Sequence, residues 1–62
     1  PGGIDPNYFY AEFLFEEGEY AKALQYLDKA AKAPPRPGRE LADKGRRGEI
    51  TALASKVKAK MG

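Results

Sequence analysis

The side chains in this sequence best suited to chemistry are carboxylates. Glu16-Glu17-x-Glu19 forms a cluster, and Glu12 and Glu16 stand four apart, neighbours on a helix surface. Such a pair could hold a hard cation or share a proton. Catalysis would need more, and the chain contains no His and no Cys. Cys/His zinc sites, haem axial histidines, disulfides and thiol nucleophiles are thereby removed. Ser55 and Thr51 lie in a lysine-rich stretch with no base beside them. Gly45-x-x-Gly48 is too short for a phosphate loop or a dinucleotide fingerprint and more often marks a bend or close helix approach. The expectation is a chain that is not an enzyme, carries no cofactor or metal, and displays its carboxylates as solvated helix surface.

Binding chemistry is better represented. Residues 1–31 hold six acids and two bases, whereas residues 32–62 hold nine bases and three acids. The halves thus carry −4 and +6 within an overall charge of +2. This asymmetry favours head-to-tail contact between copies or a charged partner for either end. Arg36, Arg39, Lys44, Arg46, Arg47, Lys56, Lys58 and Lys60 form the basic set. Arg39, Arg46, Arg47, Lys56 and Lys60 are its candidate patch for nucleic acid or another polyanion, bound with salt-dependent affinity. That half has no aromatic to stack on bases, and the upstream acids would repel a phosphate backbone. Nucleic acid is therefore the alternative reading, not the leading one. Membrane-surface binding by the last helix ranks lower still, because its apolar stripe lacks aromatics.

The unusual feature is aromatic crowding. Tyr8, Phe9, Tyr10, Phe13 and Phe15, five of the seven aromatics, fall within eight residues. A chain of 62 residues and 6.8 kDa makes one small domain. At this size only about 60% of the unfolded surface is buried, and a disulfide, metal or partner commonly supplies the rest. With no thiol or imidazole present, oligomerisation or docking is the remaining staple. Apolar content of 42% is too high for a disordered chain, and no apolar run approaches the ~20 residues of a membrane span. A first residue of Pro1 rather than Met leads to the expectation of a processed or trimmed chain. Absence of Cys fits cytoplasm and periplasm alike and leaves the compartment open.

The elements that must position these residues are helices. Residues 1–5 read as a flexible lead, with Asp5 capping and Pro6 opening a first helix from about Pro6 to Glu17. Gly18 supplies the stop. A second helix of good formers runs from about Glu19 to Ala33 and ends at Pro34-Pro35. Residues 36–38 are a linker, and a third helix starts near Arg39. Gly45 and Gly48 predict a break around Lys44–Gly48, since each costs about 1 kcal/mol against Ala. Beyond it Ile50, Leu53, Ala54, Val57 and Met61 make one apolar stripe. No alternating β-branched run occurs, so the fold class is all-α.

Residues 7–35 resemble one tetratricopeptide repeat. The matching positions are Tyr10, Ala11, Leu14, Gly18, Tyr20, Ala23, Leu24, Leu27, Ala30 and Pro35. Asn7 stands where the family usually has an aromatic, Tyr10 where Leu is usual, and Leu14 and Leu27 in aromatic slots. The resemblance covers about half the chain. It implies a helix-turn-helix unit at residues 6–35 that binds protein or peptide, with residues 36–62 as linker and basic capping helix. It also implies a concave groove lined by Asp5, Tyr8, Glu12, Phe15 and Glu16. On a helical wheel, Asn7, Tyr10, Ala11 and Leu14 face the Tyr20, Ala23, Leu24, Leu27, Ala30 and Ala31 stripe of helix two.

Placing Tyr10 inside the hairpin leaves Tyr8, Phe9, Phe13 and Phe15 around the rest of helix one. Three helices cannot cover all of these sides. Either helix three takes one and another chain the next, or a preceding repeat has been removed; ordinary core burial under helix three is the plainer alternative. The expected function is a self-associating interaction or assembly module whose partner is protein, a second copy or a larger complex. Its partner-binding residues are Tyr8, Phe9, Glu12, Phe13, Phe15 and Glu16.

Overall fold

A computed structural model describes residues 3–62. It contains α1 (Ile4–Glu16), α2 (Tyr20–Ala31) and α3 (Glu40–Met61), with no strand among the described residues. The all-α class, an antiparallel hairpin followed by a third helix, is therefore as expected. No helix is long and apolar enough to cross a membrane among those residues.

The hairpin turns where Gly18 stands. Its φ of 78° is left-handed, a conformation glycine adopts without a Cβ penalty. The Gly18 N–H donates to the Phe15 carbonyl at 3.1 Å and the Glu19 N–H to Leu14 at 2.8 Å. These two bonds are the paired closure of a Schellman motif, which satisfies carbonyls that the helix end would otherwise leave open.

The start of α1 differs from expectation. The cap is Gly3, not Asp5, and Ile4 is already helical and almost fully buried. Burial of Ile4 pulls the helix start upstream, ahead of Pro6, so the part of the flexible lead that is described belongs to α1. Pro1 and Gly2 lie outside the described residues. Asp5 is freed from capping and turns to α3. Asn7 is buried and donates from Nδ2 to the Gly3 carbonyl at 2.9 Å, anchoring the first turn where an aromatic was the family norm.

The core joins all three helices: Ile4, Tyr8, Ala11 and Leu14 of α1, Ala23, Leu27 and Ala30 of α2, and Ile50, Leu53 and Val57 of α3. Ala11, Ala23 and Ala30 are wholly inaccessible, and their small side chains let α1 and α2 approach closely. Tyr10, expected inside the hairpin, sits at its exposed edge, and Ala31 and Met61 are exposed ends of their stripes.

The predicted break in α3 does not occur, and the helix is continuous for 22 residues. Gly45 and Gly48 carry no positive φ, and a Cβ added at either would meet nothing within 4 Å. They face solvent, while Asp43, Arg46 and Arg47 between and beside them are all bonded to other parts of the chain. Tertiary anchoring of this turn outweighs its poor propensity. Gly45→Ala and Gly48→Ala should accordingly each raise stability by about 0.5–1 kcal/mol, whereas Gly18→Ala should lower it by a similar amount. Urea titration of the three variants checks the contrast in sign. A loss of stability on Gly45→Ala would mean that the segment needs its glycine.

Candidate functional site

Helix α1 presents its aromatics on two very different surfaces. Tyr8 is 7% exposed and belongs to the core, which corrects its expected role as a partner-binding anchor. Its ring meets Phe9 edge-on at 5.7 Å and lies under the Arg46 guanidinium at 4.9 Å. Burial, and then the neighbouring carboxylates of Glu12 and Glu49, push the Tyr8 hydroxyl above its ordinary range. Phe15 is half-buried, packed on the core with its ring 5.8 Å from Tyr20.

The other aromatics are open. Phe9 is 52%, Phe13 55% and Tyr10 45% exposed. Tyr10 and Phe13 stack nearly parallel, centroids 6.1 Å apart, and Tyr10 meets Tyr26 of α2 edge-on at 4.6 Å. Lys29 stands over the Tyr26 ring, 4.5 Å from its centroid. The result is a continuous aromatic row across the α1–α2 edge, and Glu12 and Glu16 of α1 are exposed as well. Tyr26 was not singled out from the sequence, although a signal existed. Tyr10 and Tyr26 each stand eight residues from Gly18, so a hairpin pivoting there sets them abreast.

The groove face implied by the resemblance is not open along its length. Arg46 of α3 lies over its amino-terminal half, donating from Nε to Asp5 Oδ1 at 3.0 Å and covering Tyr8. The same guanidinium stands 4.8 Å from Phe9 and bonds Glu49 at 2.8 Å. Asp5 and Tyr8 are thus engaged within the molecule, while Glu12 and Glu16 remain exposed. Among the described residues no group of three or more carboxylates lies close enough to hold a metal ion.

The basic set also separates. Arg47 donates to the carbonyls of Ala31 and, at 3.1 Å, Ala33, closing the carboxyl end of α2 where the backbone dipole favours a cation. Arg36 clasps the linker to α3 and to α1. Its Nε bonds Asp43 Oδ1 at 2.8 Å, its backbone N–H bonds Asp43 Oδ2 at 3.1 Å, and Nη1 reaches Asp5 at 3.4 Å. Arg46 and Arg47 are therefore structural, a correction to their place in the candidate patch. Arg39, Lys56 and Lys60 are exposed. Arg39 and Lys56 lie at opposite ends of α3, about 25 Å apart along its axis. No single basic patch joins the five residues.

The Arg36–Asp43 pair has a pH consequence. Side-chain and backbone hydrogen bonds from Arg36 hold the Asp43 carboxyl below the usual aspartate range. A depressed folded-state value contributes stability above the unfolded aspartate value of about 4, and that contribution disappears as acid carries the pH down through the folded value. Wild-type melting temperature should thus fall as pH drops below about 4. Asp43→Asn should melt lower at neutral pH and show a shallower acid decline. Parallel pH–melting curves for the two proteins would refute this role for Asp43.

Comparison with protein-family models, with curated proteins and with solved structures yields no match for this chain.

Proposed function

We propose that this chain is a non-enzymatic protein-interaction module of tetratricopeptide-like build that self-associates through its aromatic first helix. The observation that carries the reading is the row of Phe13, Tyr10 and Tyr26, with Phe9 beside it, left open on a small domain. Phe9 and Phe13 are each more than half exposed. The core shared by α1, α2 and α3 is made of other side chains; Arg46 stands over Phe9 at 4.8 Å, yet both phenylalanines keep more than half their surface open. Contiguous exposed aromatic surface of this kind marks an interaction site, and aromatic rings dominate interface energetics.

Charge supports a protein partner of the same kind. Internal pairing uses up Asp5, Asp43, Glu49, Arg36 and Arg46. Among the charges left exposed are Glu12, Glu16, Glu17 and Glu19 around the hairpin and Lys56, Lys58 and Lys60 towards the end of α3, alongside Lys22, Lys29 and Lys44. One copy therefore offers both signs to another.

Sedimentation equilibrium from low to high micromolar concentration, at low and high salt, tests the reading. The expected result is a mass that rises with concentration above 6.8 kDa, with modest weakening by salt because the contact is mainly apolar. A strict monomer throughout would overturn it. Affinity for DNA or RNA that falls steeply with salt, with no self-association, would favour the polyanion reading instead.

A further inference from the structure

The molecule has a second unsatisfied apolar surface. An open groove of about 440 Å³ runs between α2 and α3, floored by Leu24, Leu27, Ala31, Ile50 and Ala54, with Lys58 at one end. Leu24 and Tyr26 are two residues apart on α2, about 200° around its axis. The groove and the aromatic row therefore open on opposite sides of that helix. A two-fold dimer built on either surface alone would leave the other exposed; contact between the two unlike surfaces covers both.

The surfaces also agree in spacing and charge. Tyr10, Phe13 and Glu17 rise along about 10 Å of α1 and its cap, and Thr51, Ala54 and Lys58 along about 10 Å of α3. Set side by side, the most exposed ring of the row, Phe13, meets the small Ala54, and the Glu17 carboxylate meets the Lys58 ammonium. Asp28, which also lines the groove, is paired with Lys32 at 3.1 Å. We infer that the aromatic row of one copy docks in the α2–α3 groove of the next, Phe13 over Ala54 and Glu17 beside Lys58, so that copies join head to tail. This rests on the self-association proposed above and specifies its surfaces. A contact between unlike surfaces closes into a ring or continues as a filament.

Two full-length variants test the inference, Phe13→Glu with its groove intact and Ala54→Arg with its aromatic row intact. Each alone should self-associate at least about tenfold more weakly than wild type while keeping wild-type helicity. Mixed in equal amounts they should form a heterodimer of twice 6.8 kDa that grows no further, because only one productive contact is available. If Ala54→Arg does not fold, the exposed pair Glu17→Lys and Lys58→Glu serves. Each weakens assembly alone, and their mixture recovers it. A wild-type protein that associates, with mixtures that gain nothing over the single variants, would overturn the head-to-tail contact while leaving self-association standing. A monomeric wild type would overturn both.

Discussion

Replacing Phe13 with alanine should weaken self-association by about seventyfold without weakening the protomer. The ring is 55% exposed in the single chain, so of the roughly 200 Å² on a phenylalanine about half remains to be covered by a partner. At ~25 cal/mol per Å² that area is worth about 2.5 kcal/mol, a factor of about seventy. A head-to-tail contact uses one Phe13 per interface, whereas a two-fold contact through the row would use two and lose about twice that free energy. The protomer should not suffer, because alanine is the better helix former and the ring contributes little to the core. Concentration-dependent sedimentation reads the first effect and a thermal melt at low concentration reads the second. An unchanged association constant would remove Phe13 as an anchor, and a large drop in melting temperature would show that the ring is part of the fold.

Placing an aspartate at Val57 should unfold the chain as a whole. Val57 is wholly inaccessible and lies at the end of the Ile50–Leu53–Val57 stripe by which α3 covers the hairpin. A carboxylate there has no partner inside the core, and burying it unpaired costs several kcal/mol. A domain of this size has only about 3–5 kcal/mol to lose. The loss should spread beyond α3. The α1–α2 hairpin by itself is shorter than the ~40 residues below which a core rarely stands alone. Far-ultraviolet circular dichroism of Val57→Asp should therefore lose most helical signal, while Lys56→Asp, an equal charge on the adjoining exposed position, retains it. A Val57→Asp protein that keeps the ellipticity of α1 and α2 would show that the hairpin folds independently of α3.

Much of the architecture was legible residue by residue. The Gly18 stop and the Ile50/Leu53/Val57 stripe are local signals that the structure follows, while α2 stops at Ala31, ahead of the expected end at Ala33 before Pro34-Pro35. The helix count and the all-α class follow from such signals because capping, propensity and apolar period act over a few residues. Local rules misled at two places. Asp5 has the chemistry of a cap and Gly45/Gly48 the chemistry of a break, yet Arg46 claims the first and the bonded Asp43, Arg46 and Arg47 hold the helix through the second. Each outcome depends on a residue at least fourteen positions away or on the linker clasp, beyond the reach of any local pattern.

The site divides along the same line. That rings crowd the amino-terminal helix is a property of the amino-acid order alone, as is the separation of acidic and basic halves. Which rings turn outward was decided by packing. Tyr8 and Phe15 pack on the core, whereas Phe9, Tyr10 and Phe13 stay about half exposed, Phe9 beneath Arg46 of α3, and the hairpin adds Tyr26 to the row from another helix. The arginines were likewise indistinguishable as a string of charges until the backbone carbonyls of α2 and the carboxylates of Asp5, Asp43 and Glu49 selected Arg36, Arg46 and Arg47 as internal partners. Local order specifies which helices form because helix formation is a short-range equilibrium. Exposure and ion pairing were settled only in three dimensions, where groups distant along the chain compete for the same contacts.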